Sequence, residues 1–188
     1  MGAIHPFNPV KLFTGVLVSG RKLLPEIQER LSALFGAIDH RSETIPFDFT
    51  DYYEKEMGVS IARVLYSFEP LIDATRLVEI KLKVNEIEQE FASSSAGVET
   101  GAKRPVNLDP GYIEHAKVVL ASTKNLNHRI YLGRGIFGEV TMRFTNNRFQ
   151  FFPWTPPDYQ SQEYVEFFMR MRQIYRSQLK TLCLLKES

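Results

Sequence analysis

Hydrophobic and polar positions change period several times along the chain, and each change marks an element. Residues 10–18 form an apolar run that predicts a buried strand over residues 10–19, closed by Gly20. Leu24, Ile27, Leu31, Leu34 and Phe35 recur at helical spacing, with Pro25 suited to the first turn and Gly36 to the end. Ile45, Phe47 and Phe49 alternate with Pro46, Asp48 and Thr50, which predicts a strand with one polar face. Its proline donates no ladder hydrogen bond and so places it at an edge. Residues 59–69 are apolar on both faces around Arg63, which predicts a central strand ended by Pro70. Asp73 then caps a long helix whose Leu77, Ile80, Val84, Ile87 and Phe91 form one apolar stripe.

A small-residue loop at 92–102 precedes a strand at 104–108. Asp109-Pro110-Gly111-Tyr112 has the proline and glycine of a type II turn and predicts a turn into a short helix at 113–123. Strands follow at 128–132, 137–145 and 149–152, the last two joined by a tight turn at Asn146-Asn147. An extended linker at 154–159 leads to a C-terminal helix with the stripe Val165, Phe168, Met169, Tyr175, Leu179 and Leu182, and Trp154 is expected to be buried beneath it. The first six elements read β-α-β-β-α-β. The expected fold is α+β: a ferredoxin-like half extended by a C-terminal antiparallel hairpin and a long C-terminal helix.

Composition changes this picture little. At 188 residues with 44% hydrophobic content, the chain buries roughly 70% of its unfolded surface, so residues 1–188 are expected to form one domain. The single cysteine, Cys183, excludes an intrachain disulfide or a thiolate cluster and fits a reducing compartment. No apolar run reaches the length of a membrane span, and the run at 10–18 lacks a small-x-small cleavage site. A cytoplasmic protein with no membrane partner is expected. Charge is more informative. The net +1 conceals a split, with thirteen acids against six bases in residues 39–99 and eight Lys and Arg against three acids in residues 103–148. That offset argues against nucleic acid as a partner, because polyanion binding needs an uncompensated basic footprint.

The candidate site is the basic stretch, residues 103–140. Arg104, Asn107, Lys117, Lys124, His128, Arg129 and Tyr131 are the candidate ligand-binding residues, because several cations are needed to offset phosphate charge. Free N–H groups at the predicted helix start after Tyr112 would add to them. The ligand this favours is a phosphorylated small molecule or nucleotide. An enzyme is the alternative, with Asp109 and Glu139 as candidate Mg²⁺ ligands and His128 or Asp109 as the candidate catalytic residue. Asp48 and Asp51 are further carboxylates of this kind. A third reading is an RNA- or protein-interaction module in which Tyr52, Tyr53, Trp154 and Tyr159 stack on bases or partner side chains.

Several familiar chemistries are excluded. Gly133-x-Gly135-x-x-Gly138 has the letters of a kinase glycine loop or part of a dinucleotide fingerprint, but a strand pattern follows it rather than a helix, and the kinase catalytic motifs are absent. No GxxxxGK[ST] phosphate loop is present, so a conventional P-loop GTPase is excluded. His5, His40, His115 and His128 show no metal-ligand pairing, and only His40-Arg41-Ser42 has the form of a phosphodiesterase His-x-Ser motif.

Six segments together carry a resemblance: FDFTDYYEKEMG (47–58), SFEPLI (67–72), RPVNLDPGY (104–112), KVVLASTK (117–124), HRIYLGRGI (128–136) and PWTPPDY (153–159). In these the chain resembles an uncharacterised family of bacterial and archaeal proteins of about this length, a domain of unknown function whose members are often labelled GTP-binding proteins. The resemblance implies nucleotide binding, and it matches at Arg104, Asn107, Asp109, Lys124, His128, Arg129 and Tyr131. Val84 stands before Asn85 where the family usually has threonine.

Overall fold

The computed structural model describes residues 2–3, 6–47, 53–58 and 60–184. Nine strands join in one antiparallel sheet: β1 (Val10–Val18), β2 (Ile38–Arg41), β3 (Ile45–Pro46), β4 (Ala62–Ile72), β5 (Val106–Ile113), β6 (Lys117–Ser122), β7 (Ile130–Gly133), β8 (Ile136–Thr145) and β9 (Arg148–Phe151). The order is β2-β4-β1-β5-β6-β8-β7, with β3 also beside β4 and β9 beside β8. Around it lie α1 (Leu24–Phe35), α2 (Glu54–Met57), α3 (Leu77–Ser93), α4 (Ser95–Val98) and α5 (Gln162–Thr181). The fold is α+β.

Strand alternation sorts the core onto two faces. On one, Val16, Val64 and Leu108 meet Ile27 and Leu31 of α1 and Val84, Ile87 and Phe91 of α3. On the other, Phe13, Leu65, Val118 and Met142 meet Phe168, Met171 and Tyr175 of α5. Helices on both sides leave every residue of β1 buried, which is why that strand is apolar but for Lys11 and Thr14.

Local signals hold where local chemistry decides. Pro25 lies in the first turn of α1, and Gly36 follows its end at φ 93°. Asp73 accepts a hydrogen bond from Thr75 N in the 3-10 turn that opens into α3. Asn146 and Asn147 take φ of 51° and 59°, the left-handed pair that a tight hairpin turn requires.

Four expectations are overturned. Lys117–Ser122 is strand rather than helix: two β-branched valines sit between β5 and β8, where neighbours on both sides supply ladder partners. Asp109-Pro110-Gly111-Tyr112 is not a turn but lies within β5, paired with β1 residue for residue, so there is no helix start here to present free N–H groups. Gly111 is required by packing, because a Cβ there would stand 2.4 Å from Val119 O and 2.7 Å from the Phe13 ring. Pro70 does not end β4. It falls in the irregularity where Lys11 pairs with Leu71 but Phe13 with Ser67, and a bulge needs no N–H from it. The strand expected around residues 45–49 is reduced to Ile45–Pro46, with β2 before it unsignalled by any alternation, and Phe49 lies outside the described residues.

Candidate functional site

The site arises where two neighbouring strands part. β5 pairs with β6 from Ile113↔Val118 to Gly111↔Leu120, and no further. Beyond that point Leu108 N donates to Glu88 Oε1 (2.7 Å) and Leu108 O accepts from Lys81 Nζ (2.7 Å). Both groups face away from β1 and are satisfied by α3 side chains instead of by β6. By the two-residue period of a strand the Pro110 nitrogen faces the same way, and with no hydrogen to donate it suits the place where the ladder stops. A cleft of about 500 Å³ opens at this fork.

Its walls come from many parts of the chain. Asn107 and Asp109 lie on β5 and Arg104 just before it, with Ser122, Thr123 and Lys124 at and beyond the end of β6. Arg129 and Glu139 stand on the β7–β8 side, and Pro156 to Tyr159 form a strap across from them. Phe47 and Tyr53 supply aromatic surface, and burial pushes the Tyr53 hydroxyl up to about 12, with Asp109 adding to the shift. Lys81 reaches in from α3.

Each of the three arginines is held by a carboxylate. Arg63, with 4% of its side chain exposed, lies 2.5 Å from Asp158 of the strap, itself 4% exposed. The rings of Tyr164, Tyr159 and Phe47 stand 5.2, 5.3 and 5.7 Å from its guanidinium carbon. Gly15 makes room for it, since a Cβ there would lie 2.8 Å from Arg63 Nη2. Arg104 donates to Glu88 at 2.7 Å and to the Asn107 amide oxygen, while Asn107 Nδ2 donates to Asp109 at 2.7 Å. Burial works against the Arg104 charge, but Glu88 together with Asp109 and Tyr53 outweighs it and holds the group above its ordinary value. Arg129 Nε donates to Glu139 (2.6 Å), and its Nη1 donates to Ser122 Oγ (2.7 Å) and Lys124 O (3.1 Å). Such clamping fixes guanidinium planes before any ligand arrives.

Of the residues expected at the site, Arg104, Asn107, Asp109, Lys124, Arg129 and Glu139 line this cleft together. His128 lies behind Glu139, 3.0 Å from its carboxylate, and lines a different cavity. Lys117 is at the far end of β6 beside Glu114 (2.8 Å), and Tyr131 is exposed on β7. Asp48, Asp51, Tyr52 and His5 lie outside the described residues. Sequence reasoning missed Arg63, Lys81 and Asp158. Two of these leave a trace: Arg63 is the one basic residue in an apolar strand, and Lys81 falls four residues after Leu77, on the buried stripe of α3.

As Mg²⁺ ligands the carboxylates are poorly disposed. Glu139 already accepts from Arg129, His128 and Thr141, and Asp109 from Asn107, with Lys81 3.9 Å away. Among the described residues no group of three or more His, Cys, Asp or Glu could hold a metal ion. Trp154, expected in the core, is 37% exposed: its indole N–H donates to Val140 O (3.0 Å) and its ring is stacked with Phe152 and His128 at the sheet's edge, away from α5.

A family model described as "Domain of unknown function (DUF4416)" matches residues 8–175. The chain belongs to this family. The match to DUF4416 runs from just before β1 into α5 and takes in every residue that lines the cleft. No curated protein and no solved structure matches the chain. Among the described residues of this DUF4416 member, no helix is long and apolar enough to cross a membrane.

Proposed function

We propose that this protein binds a phosphorylated small molecule, with nucleotides among the candidates, in the cleft at the β5–β6 fork. One observation carries the reading: Arg63, Lys81, Arg104, Lys124 and Arg129 converge on a cavity whose own carboxylates are three, Asp109, Glu139 and Asp158. Glu88, behind Lys81 and Arg104, and Glu56, 3.7 Å from Arg104, balance this excess from outside the cavity, so the surplus of cations belongs to the cavity wall itself. Guanidinium forks and the hydroxyls of Ser122 and Thr123 are suitable donors to phosphoryl oxygens. A volume of about 500 Å³ falls within the roughly 300–1,000 Å³ of small-molecule sites. Any nucleotide would be held here by side chains, because the chain has no phosphate loop.

The frame belongs to the same reading. The antiparallel order β5-β1-β4-β2, with α1 and α3 on one face, supports a ferredoxin-like half. The strands β6 to β9 continue the same sheet and α5 packs on its face, which supports one domain over residues 1–188. A lone cysteine supports a reducing, cytoplasmic setting.

Thermal unfolding with nucleotides, sugar phosphates and inorganic phosphate, each beside its unphosphorylated counterpart, tests the proposal. A ligand at a hundred times its Kd stabilises the fold by about 2.7 kcal/mol. The expected result is a rise in Tm with phosphorylated compounds alone, lost in the Arg129→Gln, Lys124→Ala double variant. No rise with any phosphorylated compound at millimolar concentration overturns it.

A further inference from the structure

The two sides of the cleft differ in what they offer a ligand. On the β6–β8 side, Arg129 directs Nε at Glu139 and Nη1 at Ser122 Oγ and Lys124 O, which leaves Nη2 without an acceptor among the described residues. Ser122 Oγ accepts from Arg129 and from Lys124 N (3.2 Å), so its own hydrogen remains to be donated. With Lys124 beside them, these groups suit a phosphoryl oxygen.

On the strap side, donors and acceptors stand next to one another. The Arg63 guanidinium lies over Gly15, whose partner across the ladder is Asp109, and Asp158 flanks it from the strap at 2.5 Å. Close as that ion pair is, no donor is aligned on Asp158 Oδ2, and Arg63 Nε has no acceptor, although both side chains are buried and line the cavity. Asp109 Oδ2 accepts from Asn107, but the cation nearest its Oδ1 is Lys81 at 3.9 Å, and Lys81 donates to Leu108 O instead. Buried polar atoms left without partners are costly, and here an unpartnered donor sits beside unpartnered acceptors. A ligand hydroxyl satisfies both kinds, because it donates and accepts.

The rings of the cleft favour the same chemistry. Lys124 Nζ stands 5.9 Å from the centre of the Tyr53 ring, and the Arg63 guanidinium carbon stands 5.7 and 5.3 Å from those of Phe47 and Tyr159. Tyr159 is stacked with Phe168 as well. Each ring therefore already carries a cation, whereas a nucleobase needs a ring face to stack on.

Taking phosphate binding in this cleft as given, we propose that its ligand is a phosphorylated polyol, a sugar phosphate or an open-chain relative. The phosphate lies on Arg129, Lys124 and Ser122, and the hydroxyls bridge Asp109, Asp158 and Arg63. An amine in place of the hydroxyls fits less well, because Arg63, Lys81 and Arg104 already surround the two carboxylates.

Calorimetric titration of the full chain compares glycerol phosphate, pentose phosphates and hexose phosphates with alkyl phosphates of the same chain length. Inorganic phosphate and the nucleoside monophosphates that contain the same pentose phosphate complete the series. The expected result is that at least one polyol phosphate binds about tenfold or more tightly than its alkyl counterpart, the scale of a hydrogen bond to a charged group, and that adding a base gains nothing. In Asp109→Asn this advantage is lost while alkyl phosphates bind no more weakly than before, a split that a merely damaged fold would not produce. The ligand series leaves the protein unchanged and carries the test if that variant folds poorly. Alkyl phosphates that bind as tightly as every polyol phosphate overturn the proposal and leave phosphate binding standing. So does a polyol advantage that survives in Asp109→Asn. A nucleotide that binds about tenfold more tightly than its own pentose phosphate overturns it in favour of base recognition. No binding by any phosphorylated compound overturns both the polyol and the phosphate.

Discussion

Replacing Arg63 by methionine keeps most of the side-chain volume and removes the charge that Asp158 was folded against. The two groups lie 2.5 Å apart with 4% of each side chain exposed, so the variant leaves a carboxylate buried without its counter-ion. Breaking one partner of such a pair costs about 3–5 kcal/mol, far above the roughly 0–1 kcal/mol of a surface pair. Tyr159 also loses the Arg63 Nη2 donor, 3.3 Å from its hydroxyl. For a domain of this size each kcal/mol moves Tm by about 2–4 °C, giving a fall of about 6–20 °C. Urea unfolding followed by circular dichroism gives the free energy directly, provided the m-value is unchanged. The double variant Arg63→Met, Asp158→Leu removes the stranded charge and is expected to recover the whole of that loss of about 3–5 kcal/mol. A single variant that loses less than about 1 kcal/mol, or a double variant no better than the single, refutes the reasoning. Either result would mean that solvent reaches Asp158.

Gly111→Ala is expected to cost about 3 kcal/mol in urea unfolding, because its Cβ would meet Val119 O at 2.4 Å and backbone cannot step aside. A loss below about 1 kcal/mol would show that β5 and β6 can separate further. Trp154→Ala should cost only about 1–2 kcal/mol, one hydrogen bond and partial ring stacking, rather than the roughly 3–5 kcal/mol of a core truncation. Burial raises the hydroxyls of Tyr53, Tyr159 and Tyr164 above their ordinary value of 10, Tyr53 to about 12. Above pH 10 the unfolded chain releases these protons while the fold retains them, so stability is complete below pH 10 and falls as pH rises toward 12. Urea midpoints on either side of that window check it, and unchanged midpoints would contradict the burial of these rings.

Elements whose signals are local could be read from the sequence. The helices α1, α3 and α5, the proline and glycine around α1, the Asp73 cap and the Asn146-Asn147 turn all depend on residues within a few positions of one another, but the buried face of α5 is set by packing: Leu182 is 54% exposed beyond the helix, and Tyr164, Phe167 and Met171 are buried beside Phe168. The basic excess of residues 103–148 was legible too, and it led to Arg104, Asn107, Asp109, Lys124, Arg129 and Glu139, all of which line one cleft. The letters of Pro110-Gly111 suit a turn as well as a strand. What decides is the Phe13 ring and Val119 O, groups from two other strands that leave no space for a Cβ. Lys117–Ser122 is too short an apolar run for period to settle, and β5 and β8 settle it by pairing on either side. The remaining cleft residues required the tertiary structure. Arg63 faces Asp158, Lys81 reaches Leu108, and Trp154 lies at the sheet edge rather than under α5. A helix stripe or a turn is set by interactions that close within one or two turns of chain, whereas strand order, the fork and its charges depend on contacts between segments far apart in sequence, which no local pattern specifies.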